Sequence, residues 1–331
     1  MLFLLVALVA RPNIHVTLKY ESRTAKAVAL AGDVNQWSPA PMTKAGGEWS
    51  ARLTVPNDGR FEYKFVVDGK WILDPANPKR CDNGLGGENS AWEGPMYHRT
   101  PYPDAAPRHP LARKELSAGG RKFVVYAPES SAGLPIMLYA DGETYDRLGH
   151  IANVYENLTE SGRIHPVVLV LVPPANRMAE YGSGYAAYAD LLFKHILPAV
   201  RKSTGASGRA PDLYLGGSSL GGVIALRLAE AYPNQISGGI QSQSGAFQYA
   251  PAGAAWQSLT TRQALGKIPK STKLWFDWGT LEGDLTKSNE ALTEVLREMH
   301  RVHGSRTTGE GHNWTAWRNR MIFGITYLFS R

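Results

Sequence analysis

Two adjacent serines in "LGGSSLGG", residues 215 to 222, raise the question of whether either one attacks a carbonyl. Only Ser219 has a glycine two positions before it and another two after, Gly217 and Gly221. Centring the frame on Ser218 puts Leu220 where the second glycine is required. The G-x-S-x-G spacing suits a nucleophile on a cramped turn between a strand and a helix, where a Cβ on either flank would strike neighbouring backbone. The context agrees, since "PDLYL" reads as a short strand and "GGVIALRLAEAYP" as the helix after it, closed at Pro233. The chemistry this permits is acyl transfer, in which the hydroxyl adds to an ester carbonyl.

A serine hydroxyl needs a base to take its proton, and that base needs an acid, in the chain order Ser, acid, His. Of nine histidines, His312 lies in "GEGHNWTAW", a glycine-flanked loop before the final helix that can hold an imidazole over the C-terminal edge of a sheet. His300 and His303 read as a solvated helix end and His195 as mid-helix, so none of the three aims at Ser219, and one helical pair is weak support for a metal. For the acid, "KLWFDWGTLEGDL" supplies a strand followed by a loop that holds both Glu282 and Asp284. Asp277 falls inside the strand and is expected to face a helix layer. Whichever of Glu282 and Asp284 is not used would cap the helix expected to begin near Ser288. Two backbone N–H groups should bind the oxyanion: that of Leu220, and one near Glu143, where Asp141-Gly142 turns the chain at the end of "LPIMLYA". Such a set works without cofactor or metal. Cys81 is the one cysteine, so neither an internal disulfide nor a thiolate cluster can form.

These groups need a frame. "LPIMLYA" and "HPVVLVLV" are nearly continuous apolar runs, as expected of strands covered on both faces, while "YADLLFKHILPAVRK" and "NEALTEVLREMHRVHG" carry helical periodicity. That alternation predicts a doubly wound α/β domain over 111–331, opened by the edge hairpin "RKELSAGGRKFVVYAP". The loops around "VPPANRMAEYGSGYAAY" and "FQYAPAGAAWQSL" should shape its pocket, with Tyr181, Tyr185 and Trp256 as candidate lining. Residues 14–73 instead read as short alternating strands, and the turns Asn57-Asp58-Gly59 and Asp68-Gly69 predict hairpins of a small antiparallel β-sandwich over 11–94. The proline-rich run between, 95–110, reads as a semi-rigid linker.

With 43% hydrophobic and 20% charged residues in 331, the chain can bury real cores, and disorder should not dominate. The net charge of +7 is spread without a like-charge block, which argues against a nucleic-acid arm. The opening "MLFLLVALVA", residues 1–10, is too short to span a bilayer, which takes about 20 residues. No stable membrane insertion is expected. It ends in small residues as a secretory signal does but lacks a charged n-region. Export to the periplasm or beyond is the expectation, with a cytoplasmic protein the alternative if these residues are not a signal. The sequence is silent on oligomeric state.

From about Leu111 onward the chain resembles the esterase-D-like α/β-hydrolases, which include the carbohydrate esterases of family one and the enterochelin-type siderophore esterases. The likeness rests on "YADGETYD", "NRMAEYG", "HILPAV", "YLGGSSLGG", "SQSGAF", "WGTLEGD" and "GHNWTAWR". The resemblance implies Ser219 as nucleophile, Glu282 in preference to Asp284 as acid, and His312 as base. The chain departs from the family at His195-Ile196 and at Asn313, neither in the triad. The front domain resembles the family 48 carbohydrate-binding module through "LAGDVNQW", "FEYKFVVDGKW" and "GLGGEN". That resemblance implies a sugar platform of Trp37 and Trp71, with Lys64 and Asn89 bonding hydroxyls and Leu85 pressing into a glucan curl. The competing reading packs the tryptophans against other parts of the protein.

Together these readings predict a serine esterase that removes feruloyl or acetyl groups from a polysaccharide such as xylan. Two alternatives stay open: a siderophore trilactone esterase, towards which "SQSGAF" and the mild positive charge lean, and a glycan-binding protein with an idle hydrolase domain.

Overall fold

A computed structural model describes residues 12–248 and 256–331, without the side chains of 256 and 257. The apolar start of the chain, most of the loop before Trp256, and the Trp256 side chain therefore lie outside the described residues. The chain divides into two compact units, one running to Arg99 and taking in Gly309–Gly311, the other made of Thr100–Thr308 and His312–Arg331.

The first unit is an antiparallel sandwich. One sheet has three strands in the order Asn13–Glu21, Glu48–Pro56, Thr43–Ala45. The other runs Ala40–Pro41, Val28–Gly32, Arg60–Val67, Glu88–Glu93, Arg80–Asp82, with Lys70–Ile72 paired beside Arg60–Val67. Alternation along Arg60–Val67 turns Phe61, Tyr63 and Phe65 into the core, where Tyr20 of the opposite sheet meets Phe65 at 5.4 Å between ring centroids. Asp68-Gly69 makes the expected hairpin, both residues taking positive φ as a tight primed turn demands. Asn57-Asp58-Gly59 does not. Its flanking strands belong to different sheets, so the turn closed by Gly59 N–H on the Pro56 carbonyl is an arch between layers. Cys81 is partly buried with its thiol on the Asn89 carbonyl, and burial pushes its pKa up to about 12.

The second unit has an eight-stranded sheet in the order Ala112–Ala118, Arg121–Ala127, Val168–Val172, Ile136–Ala140, Leu213–Ser218, Gly239–Gln243, Lys273–Gly279, Gly304–Thr308. The first two strands are an antiparallel edge hairpin and the other six are parallel. Both faces are covered. Ile136, Leu138, Val168 and Val170 pack with the helices Leu197–Thr204 and Leu220–Ala231 on one side, while Met137, Tyr139, Leu169 and Leu171 pack with Ile151–Glu160 and the final helix Trp314–Phe329 on the other. The helix Asp284–Glu298 starts four residues earlier than expected and stops before His300, which takes φ +51°, so His300 and His303 are not a helical pair.

Candidate active site

At the end of Leu213–Ser218 the chain turns into the helix Leu220–Ala231 through Ser219, held at φ +55°, ψ −120°. A non-glycine residue is strained in that conformation, which is the geometry a nucleophile elbow requires. The glycines have steric causes: a Cβ on Gly217 would lie 2.3 Å from the Gly221 carbonyl carbon, and one on Gly221 would lie 2.9 Å from Asp141 Oδ2. Ser218 is 1% exposed whereas Ser219 is only partly buried, so of the two serines only Ser219 is open to a substrate. Its N–H donates to the Gln243 carbonyl at 2.9 Å, fastening the elbow to the neighbouring parallel strand.

His312 lies in the loop before the final helix, whose first turn Asn313 caps by accepting from the Ala316 N–H. Its Nδ1 is 3.2 Å from Glu282 Oε2, and its ring meets Trp317 edge-on at 4.8 Å. Glu282 is 1% exposed. Burial pushes its carboxyl up, but hydrogen bonds from His312 and Ser244 and the positive charge of Arg320 outweigh that and hold it below its ordinary value. Asp284 instead opens the helix Asp284–Glu298, exposed and paired with Lys287, four residues before the position at which a capping role was expected. Of the two candidate acids, the structure brings only Glu282 to His312.

Leu220 and Glu143 each lie in the first turn of a helix, where N–H groups precede the first intrahelical carbonyl. Their loops are tied together by an arginine that the sequence reading did not single out. Arg177 makes a two-pronged pair with Asp141, both contacts 2.8 Å, and donates to the Ser218 carbonyl at 3.2 Å. Arg177 was visible inside "NRMAEYG", but its role depends on a contact 36 residues back in the chain. Tyr181 is fully buried and its hydroxyl oxygen accepts the Asp141 N–H at 2.9 Å, so it packs within the unit where the sequence made it a candidate for the pocket wall. Tyr185 is partly exposed beneath the Arg227 guanidinium.

In the first unit, Trp37 and Trp71 lie nearly parallel with centroids 6.4 Å apart, Trp71 being 48% exposed. Lys64 and Val66 share the outer face of their strand, and Trp71 pairs with Val66, so Lys64 and Trp71 lie on one surface. Trp37 adopts φ +59°, rare for an aromatic residue. Leu85 projects from its loop at 90% exposure. Asn89 differs: it is 5% exposed and its amide donates to Glu62 Oε2 at 2.8 Å, so the amide expected to bond a sugar is engaged within the unit. Beneath Trp37, its indole N–H donates to Asp33 Oδ1 and the Glu62 N–H donates to Asp33 Oδ2. Among the described residues no group of three His, Cys, Asp or Glu could hold a metal, and no helix is long and apolar enough to cross a membrane.

An elbow serine on a parallel sheet, with a histidine and a carboxylate on later loops, defines a class, and comparison with known proteins agrees. Residues 117–327 match the family described as "Putative esterase", well over half of the chain, and the chain belongs to that family. Residues 14–89 match the glycogen recognition site of AMP-activated protein kinase. The iron(III) enterobactin esterase of Escherichia coli O6:H1 is 24% identical over 271 residues, 78% of this chain and 67% of the relative. The 5'-AMP-activated protein kinase subunit beta-1 of Sus scrofa is 43% identical over 53 residues, 16% of this chain and 43% of the relative. The structure of ferric enterobactin esterase from Salmonella typhimurium is similar with a TM-score of 0.78 at 20% identity, covering 96% of this chain and 93% of that one. A ferulic acid esterase gives 0.57 at 15% identity over 66% of this chain and 97% of its own.

Proposed function

We propose that this esterase works through an acyl-enzyme, with Ser219 as nucleophile, His312 as its base and Glu282 as the acid that orients the base. The observation that carries the reading is the contact of His312 Nδ1 with a buried, ionised Glu282, which leaves Nε2 as the nitrogen able to take a proton. Ser219 adds to the acyl carbonyl as Nε2 accepts its proton; the N–H groups of Leu220 and Glu143 receive the oxyanion. The imidazolium then protonates the leaving alcohol, and water, deprotonated by the same nitrogen, hydrolyses the acyl-serine.

The substrate we favour is a feruloyl or acetyl ester carried on a polysaccharide such as xylan. Two near-parallel indoles with Lys64 on the same surface suit the apolar face of a pyranose, and strain at Trp37 accords with a functional position. A siderophore trilactone is the second reading, supported by the likeness of enterobactin esterases to nearly the whole chain. Placement in the periplasm or outside the cell goes with either reading and rests on the apolar start alone.

Ser219→Ala is expected to lower the hydrolysis of p-nitrophenyl acetate by about 10³-fold or more while leaving the fold intact. A variant that keeps most of its rate would end the acyl-enzyme reading. Rates on methyl ferulate, acetylated xylan and a ferric catecholate trilactone, measured side by side, separate the two substrates.

A further inference from the structure

Behind the catalytic acid lies a buried cluster that the acyl-enzyme scheme does not use. Ser244, held at φ +48°, accepts a hydrogen bond from Trp317 Nε1 at 3.0 Å and another from Arg320 Nη2 at 2.7 Å. Indole and guanidinium groups can only donate, so the single hydroxyl hydrogen of Ser244 is committed to its third neighbour, Glu282 Oε1, at 2.8 Å. The same Oε1 receives the Gly279 N–H at 2.7 Å and Arg320 Nη2 at 3.3 Å. Three donors saturate one carboxylate oxygen and leave Oε2 for His312.

The charges are as constrained as the hydrogen bonds. Arg320, Asp277 and Glu282 have fully buried side chains, and Arg320 bonds Asp277 Oδ1 through Nε at 3.0 Å as well as Glu282. Asp277 also accepts from Trp275 Nε1 at 2.8 Å and from Gln243, while Gln243 in turn accepts from the Tyr145 hydroxyl. From the strand comes Asp277, from the loop after it Glu282, from the final helix Arg320, and from the loop before that helix His312. Two carboxylates share one guanidinium in a fully buried place, where burial pushes the Asp277 carboxyl up against the pull of Arg320; with both ionised, the three groups carry one uncompensated negative charge. When His312 accepts a proton, the four groups sum to zero.

We propose that Ser244 and Arg320 are positioning residues for Glu282, and that Asp277 supplies the excess buried charge that favours the imidazolium as it forms. The device acts in the transition state more than in the resting enzyme, since only there is the charge balanced. It rests on the assignment of His312 and Glu282 made above.

Three variants test it, assayed on p-nitrophenyl acetate across pH with folding checked by near-ultraviolet circular dichroism. Ser244→Ala should lower kcat by about 10- to 100-fold with KM little changed, because the carboxylate is free to turn. Arg320→Lys keeps the charge and loses the fork, so kcat should fall while the acid limb of the kcat/KM profile stays in place. Asp277→Asn is nearly isosteric and removes one negative charge. The acid limb should move to lower pH by about half a unit or more, a shift that a purely structural role would not produce. An unmoved limb in folded Asp277→Asn overturns the charge role, whether or not the other two variants fold. Wild-type kcat in folded Ser244→Ala and Arg320→Lys overturns the positioning role. Ser219→Ala, run alongside, keeps the cases apart: activity surviving there would defeat the underlying mechanism, whereas its loss beside unaffected cluster variants would defeat this inference alone.

Discussion

Asp33 and Glu62 lie beside each other under the surface of the sandwich, with Arg60 paired to Glu62 at 3.0 Å. Burial, and then the nearby charge of Glu62, push Asp33 from 3.8 up to about 7, against the bonds it receives from the Glu62 N–H and Trp37. Between those two pH values the folded chain keeps a proton that the unfolded chain has released. The contribution to stability is therefore full below about pH 4 and is lost as the pH rises through 7. Glu282 has the opposite sign, since its folded value is depressed, but its window lies below 4.5 and does not overlap the upper half of this range. In urea melts, wild type should lose more stability from pH 5 to pH 8 than Asp33→Asn does; equal slopes would show that Asp33 is ionised throughout. Asn89 teaches a related lesson. Its residue type suited a sugar contact, yet the nearest acceptor it meets is a carboxylate on a strand 27 positions back, which no local spacing reveals.

At the scale of elements, the elbow was legible because its requirements are local. A strand, a sharp turn and a helix follow one another within 20 residues, and Gly217 answers a clash with Gly221 inside that stretch, although Gly221 answers one with Asp141 of another loop. A Cβ at position 217 meets backbone that has no freedom to retreat, so Gly217→Ala should cost about 2 kcal/mol or more by urea denaturation. Gly266 is the useful contrast. It lies in the helix Arg262–Lys267 with open space where a Cβ would go, and Gly266→Ala should stabilise the protein by about 0.5–1 kcal/mol. The acid was half legible: spacing put Glu282 and Asp284 in one loop and the family likeness favoured Glu282, and the fold turns that one towards His312 and the other to the surface. Ser244 and Arg320 were illegible, because a serine after a strand and an arginine in a helix are ordinary until tertiary structure joins them across 76 residues. The arch at Asn57-Asp58-Gly59 was misread for a similar reason: turn chemistry fixes the bend and says nothing of which sheet receives the next strand.

For the whole molecule, the matter is why one chain carries both an esterase unit and a unit matching a glycogen recognition site. If the indoles hold a polymer, tethering raises the effective concentration of its ester groups with no change to the chemical step. Trp37→Ala with Trp71→Ala should then lower the rate on acetylated xylan by about tenfold or more at dilute substrate and leave p-nitrophenyl acetate unaffected. Equal loss on both substrates would mean structural damage, and no loss on either would remove the polymer from the account. The lone cysteine belongs to this scale as well. Its sulfur is partly buried and its thiol is pushed up by that burial, so the folded unit offers oxidants little thiolate. Two chains are stapled together more readily once that unit has come apart in each, so the amount of such covalent dimer in aged protein should rise with how often the sandwich opens.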